Sequence, residues 1–125
     1  FCGPVVNLRK VESGTSVSYG GVYKTKKATN IGVVQIGFAD GVPRQWHEEG
    51  FVSYKGNHYD IAGRICMDQF MVDFRDVEPN MGDEVLIFGK KKKDQIPIEV
   101  IADKIKTTTY VLLTAIQGRT EHVII

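Results

Sequence analysis

Between Val5 and Gly89 apolar residues recur mainly with period two, in short runs that glycines keep interrupting. That spacing sets alternate side chains on one face of an extended segment and does not fit the roughly 3.6-residue repeat of a buried helical stripe. It predicts strands over 5–11, 31–37, 51–55, 58–62, 65–74 and 84–88. Gly56-Asn57 separates two of them, and glycine at the first central position suits a type II′ hairpin turn. Past Lys90, Lys91, Lys92 and Lys93 the period changes: Ile98, Ile101, Ala102 and Ile105 share one helical face, with Pro97 at a first-turn position. A second short helix is expected over 110–116, although Val111 and the threonines before it weaken that propensity, and 122–125 can return as a strand. No repeat or linker divides the chain, so residues 1–125 read as one unit. The predicted fold class is mainly β: a small, closed or nearly closed β-barrel-like domain with one or two short helices near the C-terminus.

Composition narrows the function. A chain of 125 residues with 42% apolar content can bury about two-thirds of its surface without disulfide staples. Its two cysteines, Cys2 and Cys66, lie far apart and outside any metal-ligand spacing, which favours free thiols in a reducing compartment such as the cytoplasm. Sixteen Lys and Arg against fifteen Asp and Glu leave a formal charge of +1, too little for the cationic face of a dedicated nucleic-acid binder. No apolar run approaches the length needed to span a bilayer, so a soluble domain without membrane contact is expected. The chain opens on Phe1 instead of Met, and a preceding segment is therefore expected. Lys90, Lys91, Lys92 and Lys93 read as a solvated loop tip, since they repel one another and lack interleaved aromatics. His47, His58 and His122 make no ligand-spaced set, and no metal is expected. Neither cysteine has the basic flank of a reactive thiolate, and no phosphate-cradling or dinucleotide glycine loop is present.

Two segments stand out. In Val17-Ser18-Tyr19-Gly20-Gly21 a tyrosine is set against two glycines, which allow close approach of backbone or ligand. In Gly63-Arg64-Ile65-Cys66-Met67-Asp68-Gln69 polar residues interrupt an apolar strand. Either Asp68 is buried and braces a turn, or Arg64, Met67 and Asp68 line a ligand or partner surface at a strand end.

These segments, together with Ile36-Gly37-Phe38-Ala39-Asp40-Gly41-Val42-Pro43-Arg44, closely resemble the C-terminal β domain of the alanine racemase family in both order and spacing. The family pattern runs VSYG, IGYADG followed by an arginine, GR(I/V)CMDQ, GDEV with a strand ending FG, then a helix and a TxNYE-like segment. The counterparts here are 17–20, 36–44, 63–69, 82–89 and 107–110, so the likeness spans essentially the whole chain. It implies a racemase of small amino acids, interconverting L- and D-alanine for peptidoglycan precursors. In the family an N-terminal barrel, absent from this chain, holds pyridoxal phosphate on a lysine, and subunits pair head to tail as a homodimer, so that this domain completes the partner's site. The resemblance assigns a catalytic base to Tyr19 and substrate contact to the backbone amide of Met67. Arg64, Arg44 and Asp68 fall in the substrate corridor, and Tyr110 stands where a tyrosine contacts the cofactor phosphate.

The chain departs from the family at three places. The corridor tyrosine of IGYADG is Phe38, the segment at Tyr110 reads TTTYVLL, and the family's RVPR is Arg119-Thr120-Glu121-His122. Alternatives are a serine racemase of the membrane-anchored resistance type, or a non-catalytic β-barrel binding module whose lysine loop meets an anionic partner. The chain alone is expected to be inactive, because no segment resembles the cofactor-lysine motif.

Overall fold

The computed structural model describes residues 1–14, 16–17, 23–25, 27–47 and 50–105. The period-two segments form β1 (Cys2–Val11), β4 (Thr29–Val34), β5 (Phe51–Tyr54), β6 (Asn57–Asp60), β7 (Phe70–Asp73) and β8 (Glu84–Leu86). These six build one antiparallel sheet in the order β6-β5-β8-β1-β4-β7. The shorter strands β2 (Ser16–Val17) and β3 (Tyr23–Lys24) pair with each other outside it.

The sheet curls until its edges meet. Ile61 bridges Val72, the Ala62 N–H donates to the Met71 carbonyl at 2.8 Å, and the Arg75 guanidinium reaches the His58 carbonyl at 3.1 Å. There is no continuous ladder between β6 and β7 among the described residues, so the expected barrel is nearly closed. Inside, Val5, Val34, Val52, Val72 and Val85 are fully buried with Phe70, Phe74 and Trp46, as alternation along half-buried strands requires. In β1 the pairing with β4 slips between Val5 and Asn7, a bulge that leaves Val6 exposed.

The helix α1 (Ile98–Lys104) stands where its 3.6-residue pattern placed it, with Pro97 as N-cap and Ile101 and Ala102 buried against the sheet. The expected second helix and the returning tail strand lie outside the described residues. Three expectations change. The β5–β6 turn is centred on Lys55-Gly56, both at positive φ (49° and 84°), which is the type I′ pattern and not the type II′ turn at Gly56-Asn57. The lysine run closes a hairpin of β9 (Gly89–Lys91) and β10 (Asp94–Ile96), so the expected exposed tip narrows to Lys92 and Lys93 while Lys90 and Lys91 join a strand. The hairpin is held because the Asp94 carboxylate accepts the Ser53 hydroxyl at 2.6 Å and the Gly56 N–H at 2.8 Å, tying one hairpin turn to the other. The third change, at 65–74, belongs to the site below.

A buried tyrosine locks β5 to the segment before β8. The Tyr54 hydroxyl donates to the Asp83 carboxylate, which also accepts the Asn80 N–H at 3.1 Å. Burial and this hydrogen bond push the Tyr54 phenol up to about 12. The Tyr54 hydroxyl, ahead of the Asn80 amide, holds the Asp83 carboxyl below its ordinary value. A lowered carboxyl contributes stability above its unfolded pKa and loses it as pH falls through the folded one; a raised phenol contributes below its unfolded pKa and loses it as pH rises through about 12. Tyr54→Phe is therefore expected to cost about 1–2 kcal/mol near neutral pH, with the difference shrinking in acid as Asp83 protonates. Urea unfolding of both proteins across the acid range checks this; a constant difference down to about pH 2 would remove the pair from that role.

Candidate functional site

The site is built on two irregular segments that the sheet brings together. After β4 the chain enters a 3₁₀ turn over Phe38–Asp40 with Gly37 as its N-cap. The Asp40 carboxylate, 7% exposed, reaches back to accept the Gly37 N–H at 3.1 Å, while the Asp40 N–H donates to the Gly37 carbonyl at 3.0 Å. Glycine is required at 37 by close approach: a Cβ there would lie 2.3 Å from the Cys66 carbonyl oxygen and 2.5 Å from that of Met67. Those carbonyls are the partners of the turn. The Phe38 N–H donates to the Cys66 oxygen and the Ala39 N–H to the Met67 oxygen, each at 3.0 Å.

This clasp explains why 65–74, expected as one strand, pairs only over Phe70–Asp73. The Cys66 and Met67 carbonyls are satisfied by the 3₁₀ turn instead of a neighbouring strand, and the Cys66 N–H closes onto the Gln69 carbonyl at 2.9 Å. Ile65 is still buried, whereas Arg64, Met67 and Asp68 are exposed, Met67 at 55%. The reading of Asp68 as a buried brace is thereby overturned, and the surface reading of Arg64, Met67 and Asp68 agrees with their placement. Among the described residues the Met67 N–H makes no hydrogen bond.

Arg44 arrives from a second 3₁₀ turn, Arg44–His47. That turn is anchored by Trp46, wholly buried, whose backbone N–H donates to the Pro43 carbonyl at 3.1 Å and whose indole N–H reaches the Phe51 carbonyl at 3.3 Å. The exposed Arg44 guanidinium lies over the Phe38 ring, 4.7 Å from its centre, within cation–π range. Phe38, where the family pattern has tyrosine, is thus one ring away from the Cys66–Met67 backbone and carries Arg44 on its face. Arg64, Met67 and Asp68 are exposed on one short segment, and Arg44 is linked to that segment only through Phe38, whose ring it covers and whose N–H holds the Cys66 carbonyl. Tyr19 and Tyr110 lie outside the described residues.

Reading the sequence did not single out Gly37 and Asp40 as working residues. The signal was present: an Asp three positions after a Gly at a strand end is the spacing of an N-cap and its N3 partner.

Arg44, Arg64, Met67 and Asp68 are all exposed. A groove of about 340 Å³ lies apart from them, lined among others by Tyr54, Asp83, Lys91 and Asp94. In it Lys91 pairs with Glu84 at 3.2 Å and the Asp83 carboxylate accepts the Tyr54 hydroxyl. No helix among the described residues is long and apolar enough to cross a membrane.

A nearly closed antiparallel sheet with one short helix among the described residues, carrying an exposed wall around the Cys66–Met67 backbone, defines a small, mainly β domain. The chain belongs to the alanine racemase family: residues 1–124 match its C-terminal domain. It is 41% identical over 120 residues to the alanine racemase of Desulfosudis oleivorans, covering 95% of this chain and 31% of that protein. Among solved structures, alanine racemase from D-cycloserine-producing Streptomyces lavendulae superposes with a TM-score of 0.88 at 35% identity, over 95% of this chain and 31% of that one. That from Bartonella henselae, with covalently bound pyridoxal phosphate, gives 0.90 at 28% identity, over 99% and 34%. The chain thus spans about a third of the length of these relatives.

Proposed function

We propose that this chain is the C-terminal part of a pyridoxal-phosphate-dependent racemase that interconverts L- and D-alanine, acting as a cytoplasmic head-to-tail homodimer. The observation that carries the reading is the clasp of the Phe38–Asp40 turn on the Cys66–Met67 backbone, which leaves the Met67 N–H without a partner among the described residues, on an exposed segment that also carries Arg64. Such a segment suits a small carboxylate held between this domain and another subunit better than it suits an enclosed pocket.

Racemisation removes the α-proton from one face of the substrate α-carbon and delivers a proton to the opposite face, so a base is needed on each face. Pyridoxal phosphate, when bound, supplies the electron sink. Tyr19 is the base this chain contributes. A phenol with a pKa of about 10 is only about 0.1% ionised at pH 7, so its proton must be drawn by neighbouring cations. The Met67 N–H receives the substrate carboxylate, and Arg44, Arg64 and Asp68 border the substrate corridor. Tyr110 holds the cofactor phosphate. The base on the opposite face is the cofactor lysine itself, which comes from an N-terminal barrel, consistent with the chain's share of its relatives' length.

The test compares the chain alone with a full-length racemase carrying it. The chain alone is expected to show no alanine racemisation and to retain no pyridoxal phosphate after dialysis, whereas the full-length protein racemises alanine in preference to serine. Racemisation by the isolated chain, or a cofactor-loaded full-length protein inert toward alanine, would overturn the reading.

A further inference from the structure

We infer that Asp40 is a positioning residue for substrate binding: through the Gly37 turn it aims the Met67 N–H outward at the substrate carboxylate. The inference rests on the proposed role of the Met67 amide, and its physical basis is the geometry of one peptide unit. The Cys66 carbonyl and the Met67 N–H belong to the same trans peptide and point in opposite directions. Because the Phe38 N–H holds the Cys66 oxygen at 3.0 Å, the Met67 N–H is directed away from the turn. The Ala39 N–H fixes the next peptide in the same way through the Met67 oxygen, also at 3.0 Å.

These two donors are aimed only while the turn keeps its shape, and its shape is held by the buried Asp40 carboxylate on the Gly37 N–H at 3.1 Å. Gly37 permits the approach, since any Cβ would collide with both carbonyls. Asp40 touches no reacting atom in this arrangement. It spends a buried carboxylate on orienting a backbone donor, and preorganised donors are the ones that count in a binding site.

The experiment uses the cofactor-loaded full-length racemase carrying this chain. Asp40→Ala is expected to raise the KM for alanine about 10- to 100-fold with a smaller change in kcat, the range for a hydrogen bond to a charged group. Asp40→Asn, which keeps an oxygen acceptor for Gly37, is expected to restore most of the loss. In parallel, hydrogen–deuterium exchange of the 37–41 segment is expected to accelerate in Asp40→Ala. Unchanged protection there would show that Asp40 does not hold the turn and would overturn the inference. Lost protection with unchanged KM would instead overturn the Met67 reading beneath it. If Asp40→Ala does not fold, Gly37→Ala decides: it leaves the carboxylate in place, pushes the turn off the Cys66 and Met67 carbonyls, and is expected to give the same KM-dominated defect. A folded Gly37→Ala enzyme with wild-type KM would overturn the inference.

Discussion

Replacing Tyr19 by Phe in a full-length racemase carrying this chain should lower turnover about 10²- to 10⁴-fold, equivalent to roughly 3–5 kcal/mol of barrier, the usual contribution of a general acid–base group. The ring is retained, so substrate binding should change little and the loss should fall on kcat. It should also be one-sided. With the base on the opposite face intact, exchange of the α-proton with solvent deuterium should persist better from one enantiomer than from the other. Racemisation and exchange rates measured on both enantiomers check this. Near-wild-type turnover, or equal loss of exchange from the two, would remove Tyr19 from the base role.

The largest loss of stability is expected at Trp46. It is the largest fully buried side chain, packs its ring 5.3 Å from that of Phe51, and anchors the 3₁₀ turn that carries Arg44. Trp46→Ala removes that volume from the core and should cost about 3–5 kcal/mol, a large share of the roughly 5–15 kcal/mol by which a domain is stable. The midpoint of thermal unfolding should drop by on the order of 10–20 °C. Trp46→Phe, which keeps an aromatic ring but loses the indole donor to Phe51, should cost markedly less. Equal destabilisation by both would mean that the hydrogen bond, not the packed volume, secures the turn.

Much of the sheet was legible because burial on one face writes itself into the sequence with period two. Val5, Val52, Val72 and Val85 fall on that pattern and are all buried, and α1 was legible by the same logic at a different period. The Lys55-Gly56 turn shows the limit of local chemistry. Gly56 marked the hairpin, but the register of Tyr54 opposite Asn57 decided that Lys55 would share the positive-φ pair. The lysine run likewise reads as loop on charge alone, and closes a hairpin because Asp94 finds acceptor work on Ser53 and Gly56, distant in sequence.

At the candidate site the division is sharper. Residue types and their spacing alone carried the family likeness and picked out Tyr19, Arg44, Arg64, Met67, Asp68 and Tyr110, because such patterns are written in the chain itself. What no local rule contained was that an apolar run from Ile65 onward would give up strand pairing before Phe70. That outcome depends on where the Cys66 and Met67 carbonyls find donors, and the donors are the Phe38 and Ala39 amides, nearly thirty residues earlier in the chain. Backbone hydrogen bonds carry no side-chain signature, so which amide is satisfied and which is left facing outward was decided only when the tertiary fold brought the two segments together.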